Sequence, residues 1–201
     1  MSIKGHEYTV QNGMNRSKVG KTLYSLSTIL TALIVSQLIR YLIWFESVPT
    51  LISTVILTII LFYIIYYSFN NWIWKLRPVS GLLKLPNISG TWSCNGKSNY
   101  ENFNWHGKVQ IIQSWDKIRI TLITERSSSE SISAVIIYDD IHGYKLVYNY
   151  ENKPNSLDDT NLRTHVGFVD LNLDYSNNKA TGYYYNVSGR KTSGEIIWIK
   201  K

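Results

Sequence analysis

One cysteine, Cys94, stands alone in 201 residues, so the chain can form no internal disulfide. That suits a reducing compartment. Nor is there a metal-ligand pattern: His6, His106, His142 and His165 are scattered, and no CxxC accompanies Cys94. A glycine loop to cradle phosphate is missing too, since Gly81 and Gly90 are isolated. The acid pairs Asp139-Asp140 and Asp158-Asp159 sit among turn residues on solvated loops. These absences leave no catalytic set and predict a protein that is not an enzyme and carries no cofactor.

Charge is nearly missing from two stretches near the N-terminus. Thr22 to Phe45 and Thr50 to Phe69 are apolar, and Glu46-Ser47-Val48-Pro49 makes a turn between them. A helix of roughly 20 apolar residues crosses a hydrocarbon core about 30 Å thick. The pattern predicts a transmembrane hairpin over 22–74, after a flexible polar segment over 1–21 and before a short linker over 75–86. The first run is too long for a signal peptide and has no small-residue cleavage site.

The net charge of +7 is distributed unevenly. Residues 1–86 hold eight Lys and Arg against Glu7 and Glu46, a net +6; residues 87–201 hold 13 basic and 12 acidic side chains, a net +1. The excess flanks the apolar runs, which argues against a nucleic-acid polymer as partner. Arg16, Lys18 and Lys21 precede the first run, and Lys75, Arg77 and Lys84 follow the second. Positive flanks stay in the cytoplasm, so the N-terminus and the C-terminal domain are both expected there.

Ser25, Thr28, Ala32 and Ser36 recur three or four apart in the first run, and Thr50, Ser53 or Thr54, and Thr58 do so in the second. Such small residues allow close helix approach, either within the hairpin or between neighbouring chains. Arg40 lies near the helix end, where it can snorkel to headgroups; the alternative for Gln37 and Arg40 is a role in an assembly.

After Pro86 the chain turns polar and tyrosine-rich. Eight candidate strands follow, at about 90–97, 104–113, 117–124, 130–139, 143–150, 164–174, 179–187 and 193–200. Period-two alternation and Val, Ile, Thr and Tyr enrichment support them. The inner faces read as Trp105/Val109/Ile111, Ile118/Ile120/Leu122, Ile132/Ala134/Ile136/Tyr138 and Tyr144/Leu146/Tyr148. Short connections permit antiparallel neighbours, and eight strands in series can close on themselves. The expected fold is therefore a membrane α-hairpin plus an all-β domain over 87–201, an eight-stranded antiparallel up-and-down β-barrel, with a β-sandwich as the other architecture.

Alternating strand direction collects one set of turns at the barrel end farthest from the linker. That rim holds Arg126, Arg163 and Arg190, three of the domain's four arginines, with Trp105, Tyr148, Tyr150 and His165 beside them. Arginine forks pair with phosphate oxygens, and aromatic rings stack on bases. These seven residues form the candidate site for an anionic ligand. The opposing reading is that the arginines are solvated partners of Glu101, Glu125, Glu130, Glu151, Asp158 and Asp159, and that the tyrosines fill the core.

Ile88-Ser89-Gly90-Thr91-Trp92 resembles the Gly-x-Trp opening of lipocalin-type barrels, in which the tryptophan closes one end. The whole layout resembles the two-transmembrane β-barrel effectors of bacterial CBASS anti-phage systems, the CD-NTase-associated membrane effectors. That resemblance implies a receptor for a cyclic dinucleotide made by a partner nucleotidyltransferase. It further implies residence in the bacterial inner membrane, a homo-oligomer on activation, and membrane disruption that kills the infected cell. A membrane-anchored carrier of a small apolar ligand and a packed adaptor barrel are the competing functions.

Overall fold

The computed structural model describes residues 4–38, 50–155, 164–187 and 191–201. The turn 46–49, the aromatics Tyr41, Trp44 and Phe45, Arg40, Asp158-Asp159, Arg163 and Arg190 lie outside them, as do the side chains of Ser36 and Thr50. Two compact units are present. One is Met14–Val79; the other joins Ser80–Lys201 to the N-terminal residues up to Gly13.

In the first unit, α1 (Arg16–Leu38) packs along α2 (Thr50–Asn71), with Tyr24 edge-on to Phe62 at 5.9 Å. Among the described side chains of α1, Val19, Leu23, Ser27, Thr31 and Val35 are buried. Their spacing of four draws one stripe along the helix. Ser27 and Thr31 donate to backbone carbonyls one turn back, Tyr24 O at 2.7 Å and Ser27 O at 2.8 Å, so their hydroxyls are satisfied inside the packed face. The stripe expected to zip the hairpin is displaced from this one: Ser25, Thr28 and Ala32 are exposed. Size alone could not choose the face, because small residues occupy both. On α2, Ser53 is buried as the spacing suggested. Among the described residues one helical stretch, Leu51–Lys75, is long and apolar enough to cross a membrane. The segment expected to be a plain linker contains a seven-residue helix, α3 (Arg77–Leu83).

Among the described residues, the second unit is a closed barrel of nine strands, not eight. β1 (His6–Gln11) comes from the stretch expected to be flexible; β2 (Gly90–Ser98), β3 (Asn104–Gln113), β4 (Lys117–Thr124), β5 (Ser127–Asp139), β6 (Gly143–Pro154), β7 (His165–Asp174), β8 (Lys179–Asn186) and β9 (Ser193–Lys200) follow. From β2 to β9 each strand pairs antiparallel with the next, and β9 returns to β2.

The up-and-down order breaks at one place. β4 and β5 pair only from Thr121 to Ile123 against Ser128 to Glu130. Beyond that they part, and β1 fills the gap, antiparallel to β4 at His6 and Glu7 and parallel to β5 from Tyr8 to Gln11. A register shift between Ser131 and Ser133 marks the parting. Ser131 Oγ accepts from Ile120 N at 2.9 Å and meets His6 Nε2 at 2.8 Å, so one hydroxyl fastens three strands. The same bulge turns Ile132 outward, 52% exposed, against its expected inward place.

Candidate functional site

Every strand alternates in and out, but the inward residues change along the barrel. At the end where β2 begins they are large and apolar: Ile111, Ile118, Ile136, Leu146 and Leu171 are almost fully buried. Trp92 is buried there and donates to Ile88 O at 3.0 Å. Gln113, 1% exposed, receives Ile88 N at 2.9 Å and donates to Pro86 O and Tyr8 Oη, each at 3.3 Å. One side chain thus satisfies the backbone crossing this end and ties it to β1.

At the opposite end the inward positions are glycine, serine, asparagine and aromatic rings. Gly96 and Gly167 leave room for the rings of Trp105 and Tyr150, which lie where a Cβ would stand. The result is a cavity of about 360 Å³, within the roughly 300–1,000 Å³ of small-molecule sites. Trp198, 1% exposed, and Tyr148 pack at 6.1 Å between centroids; Tyr150 follows Tyr148 at 6.1 Å, and Trp105 stands edge-on to Tyr184 at 5.7 Å.

Of the residues expected at the site, Trp105, Arg126, Tyr148, Tyr150 and His165 all line this cavity. Arg126 is exposed at its mouth, while His165 is half-buried and edge-on to Tyr150 at 6.5 Å. Some rim acids are engaged elsewhere: Glu130 with Arg119 at 2.6 Å and Glu151 with Lys153 at 2.8 Å. Asp139 ends β5 and its carboxylate caps the turn that follows; the His142 and Ile141 backbone N–H groups hold its carboxyl below the usual range.

Sequence reading missed Cys94, Ser127, Ser129, Asn152, Tyr184, Asn186 and Trp198, which also line the cavity. The cause is local. Three serines in a row looked like a turn, yet Ser127 and Ser129 are inward strand residues, and β6 runs four residues beyond Tyr150. Continuing the period from Tyr148 and Tyr150 to Asn152 was the available signal.

The polar groups here suit binding, not bond-making. Burial pushes the Cys94 thiol up to about 12, so it stays protonated and is a poor nucleophile. Burial also raises Tyr148 and Tyr150, keeping both phenols neutral. Tyr150 Oη donates to Asn186 Oδ1 at 2.7 Å, which fixes the ring against the wall. Neutral rings, amides and an arginine at the mouth are chemically suited to a flat, partly anionic molecule.

Comparison with known proteins agrees with that chemistry. Residues 83–200 match the family model described as Cap15, cyclic dinucleotide receptor domain, and residues 17–75 match Cap15, TM helices. The chain is 35% identical over 201 residues to CD-NTase-associated protein 15 of Yersinia aleksiciae, covering 96% of each. The receptor match spans the cavity-bearing strands, and the helix match spans α1 and α2. The chain therefore belongs to the Cap15 family of CBASS-associated proteins, with transmembrane helices and a cyclic dinucleotide receptor domain.

Proposed function

We propose that the cavity at the open end of the barrel is the cyclic dinucleotide site, and that its occupation drives oligomerisation and disruption of the bacterial inner membrane. The observation that carries this reading is one aromatic cavity inside the strands that match the receptor domain. One base enters among Trp105, Tyr148, Tyr150 and Tyr184, where stacking is worth about 1–3 kcal/mol. The phosphates stay at the mouth by Arg126, with Arg163 and Arg190, which follow β6 and β8 in sequence, supplying further forks. Both apolar runs of the sequence, Thr22 to Phe45 and Thr50 to Phe69, cross the bilayer, with the barrel in the cytoplasm.

A ligand shifts assembly only by binding one state more tightly than another. Confinement to a membrane plane raises the barrels' effective concentration, so a modest preference suffices. A carrier of an apolar molecule fits less well, because Ser127, Ser129, Asn152 and Asn186 put polar groups around the cavity.

The test is thermal denaturation of the full chain in detergent against a panel of cyclic dinucleotides, with leakage of reconstituted vesicles as the second readout. A specific ligand at 100 times its dissociation constant stabilises by about 2.7 kcal/mol. Leakage requires that same ligand. No shift with any panel member, or equal leakage without nucleotide, would falsify the reading.

A further inference from the structure

Asn152 has an unused acceptor. Its side chain is 8% exposed and lines the cavity, and its Oδ1 has no hydrogen-bond partner among the described residues. A buried amide oxygen left so costs about 1–3 kcal/mol, which a ligand donor would recover.

The orientation of the amide follows from the hydroxyls beside it. Asn152 Nδ2 donates to Ser127 Oγ at 3.1 Å. The reverse arrangement would need the Ser127 proton to point at Asn152. That proton has another acceptor: the Thr124 hydroxyl spends its own proton on Ser127 O at 3.0 Å, so Ser127 Oγ donates to Thr124 Oγ1 at 3.1 Å. With its hydroxyl proton directed there, Ser127 Oγ accepts from Asn152, and Oδ1 is left as the buried, unmet acceptor of a residue that lines the cavity. Asn186, a half-buried amide on the same cavity wall, is different: its Oδ1 takes Tyr150 Oη at 2.7 Å and its Nδ2 goes to Thr192 Oγ1 at 2.6 Å.

We infer that Asn152 Oδ1 reads an N–H on the edge of the ligand base that stacks on Tyr150. An amide oxygen repels phosphate oxygens and cannot bond a ring nitrogen lone pair, so it selects the face of the base that carries a donor. A site built to receive a donor discriminates strongly against an analogue lacking it. This rests on the proposed cyclic dinucleotide reading and specifies how one base is recognised.

The experiment measures calorimetric affinity of the full chain in nanodiscs for the four homodimeric 3′,3′-cyclic dinucleotides, then for the best of them with its edge nitrogen methylated. Methylation is expected to cost the native chain about thirtyfold, the equivalent of one buried hydrogen bond. Asn152→Leu should bind the parent ligand about thirtyfold more weakly and no longer distinguish it from the methylated one. Asn152→Asp keeps the acceptor, so it retains the discrimination ratio even where its charge lowers both affinities. Native-like affinity in Asn152→Leu overturns the assignment. So does a methylation penalty that persists in Asn152→Leu, which would place the donor contact elsewhere, for instance on a ribose hydroxyl. If no dinucleotide binds the native chain, the functional reading itself falls with it.

Discussion

The two ends of the barrel are made from the same strands and the same alternation, yet they do opposite things. At the end where β2 begins, inward Ile136 and Leu146 face each other across neighbouring strands, both 0% exposed, and Gln113 stitches the covering backbone. At the other end the inward positions shrink to glycine and serine, and the rings lie along the wall. The lesson is a division of labour within single strands: stability is concentrated at one end so that the other can stay open. β6 shows it in five alternate residues, from Tyr144 and Leu146 through Tyr148 and Tyr150 to Asn152.

This contrast can be broken from either side. Ile136→Ala or Leu146→Ala should each cost about 3 kcal/mol by denaturant unfolding, while affinity in the folded fraction stays native. Gln113→Leu removes the acceptor of the Ile88 N–H and the donor to Pro86 O and should cost about 2 kcal/mol, measured the same way. At the open end the balance reverses. The double variant Arg163→Ala/Arg190→Ala should lower ligand affinity at least about tenfold and flatten its salt dependence with an unchanged melting temperature; unaltered affinity across salt concentrations would remove those arginines from the site. Gly167→Ala places a Cβ in the Tyr150 ring and pushes it into the cavity. It should weaken binding about tenfold for about 1 kcal/mol of stability.

The last effect is a pH dependence, confined to alkaline solution. Cys94 titrates near 9.0 in the unfolded chain and at about 12 when folded. Between those values only the unfolded chain has released the proton, so stability is whole below pH 9 and falls as pH rises, by up to about 1.4 kcal/mol per unit. Cys94→Ala should flatten this part of an alkaline melting series, leaving the later loss from Tyr148 and Tyr150.

Much of this molecule is legible in its sequence, because alternation is local. Strands β2, β3, β4, β7, β8 and β9 fall within a residue or so of their expected bounds, and five site residues expected from strand direction alone share one cavity. What escaped was nonlocal. The His6–Gln11 segment is polar and glycine-flanked, and it becomes a strand only because β4 and β5 part more than a hundred residues later. Ser127 to Ser131 prefer turns in isolation; pairing with β6 and bonds to Thr124, Asn152 and Ile120 overrule that preference. Which stripe of α1 zips the hairpin was hidden for a similar reason, since two faces of one helix carry small residues and only the partner decides between them.

The place of β1 changes what the helices are attached to. Only residues 12–15 separate β1 from α1, and β2 follows α3 on the other side, so the helical unit is an excursion whose two ends are both sewn into one sheet. A leash held at one end transmits tension alone. A loop held at two points is tied to the sheet through β1 on one side and through α3 and β2 on the other. The chain that leaves the barrel for the membrane is the chain that closes it.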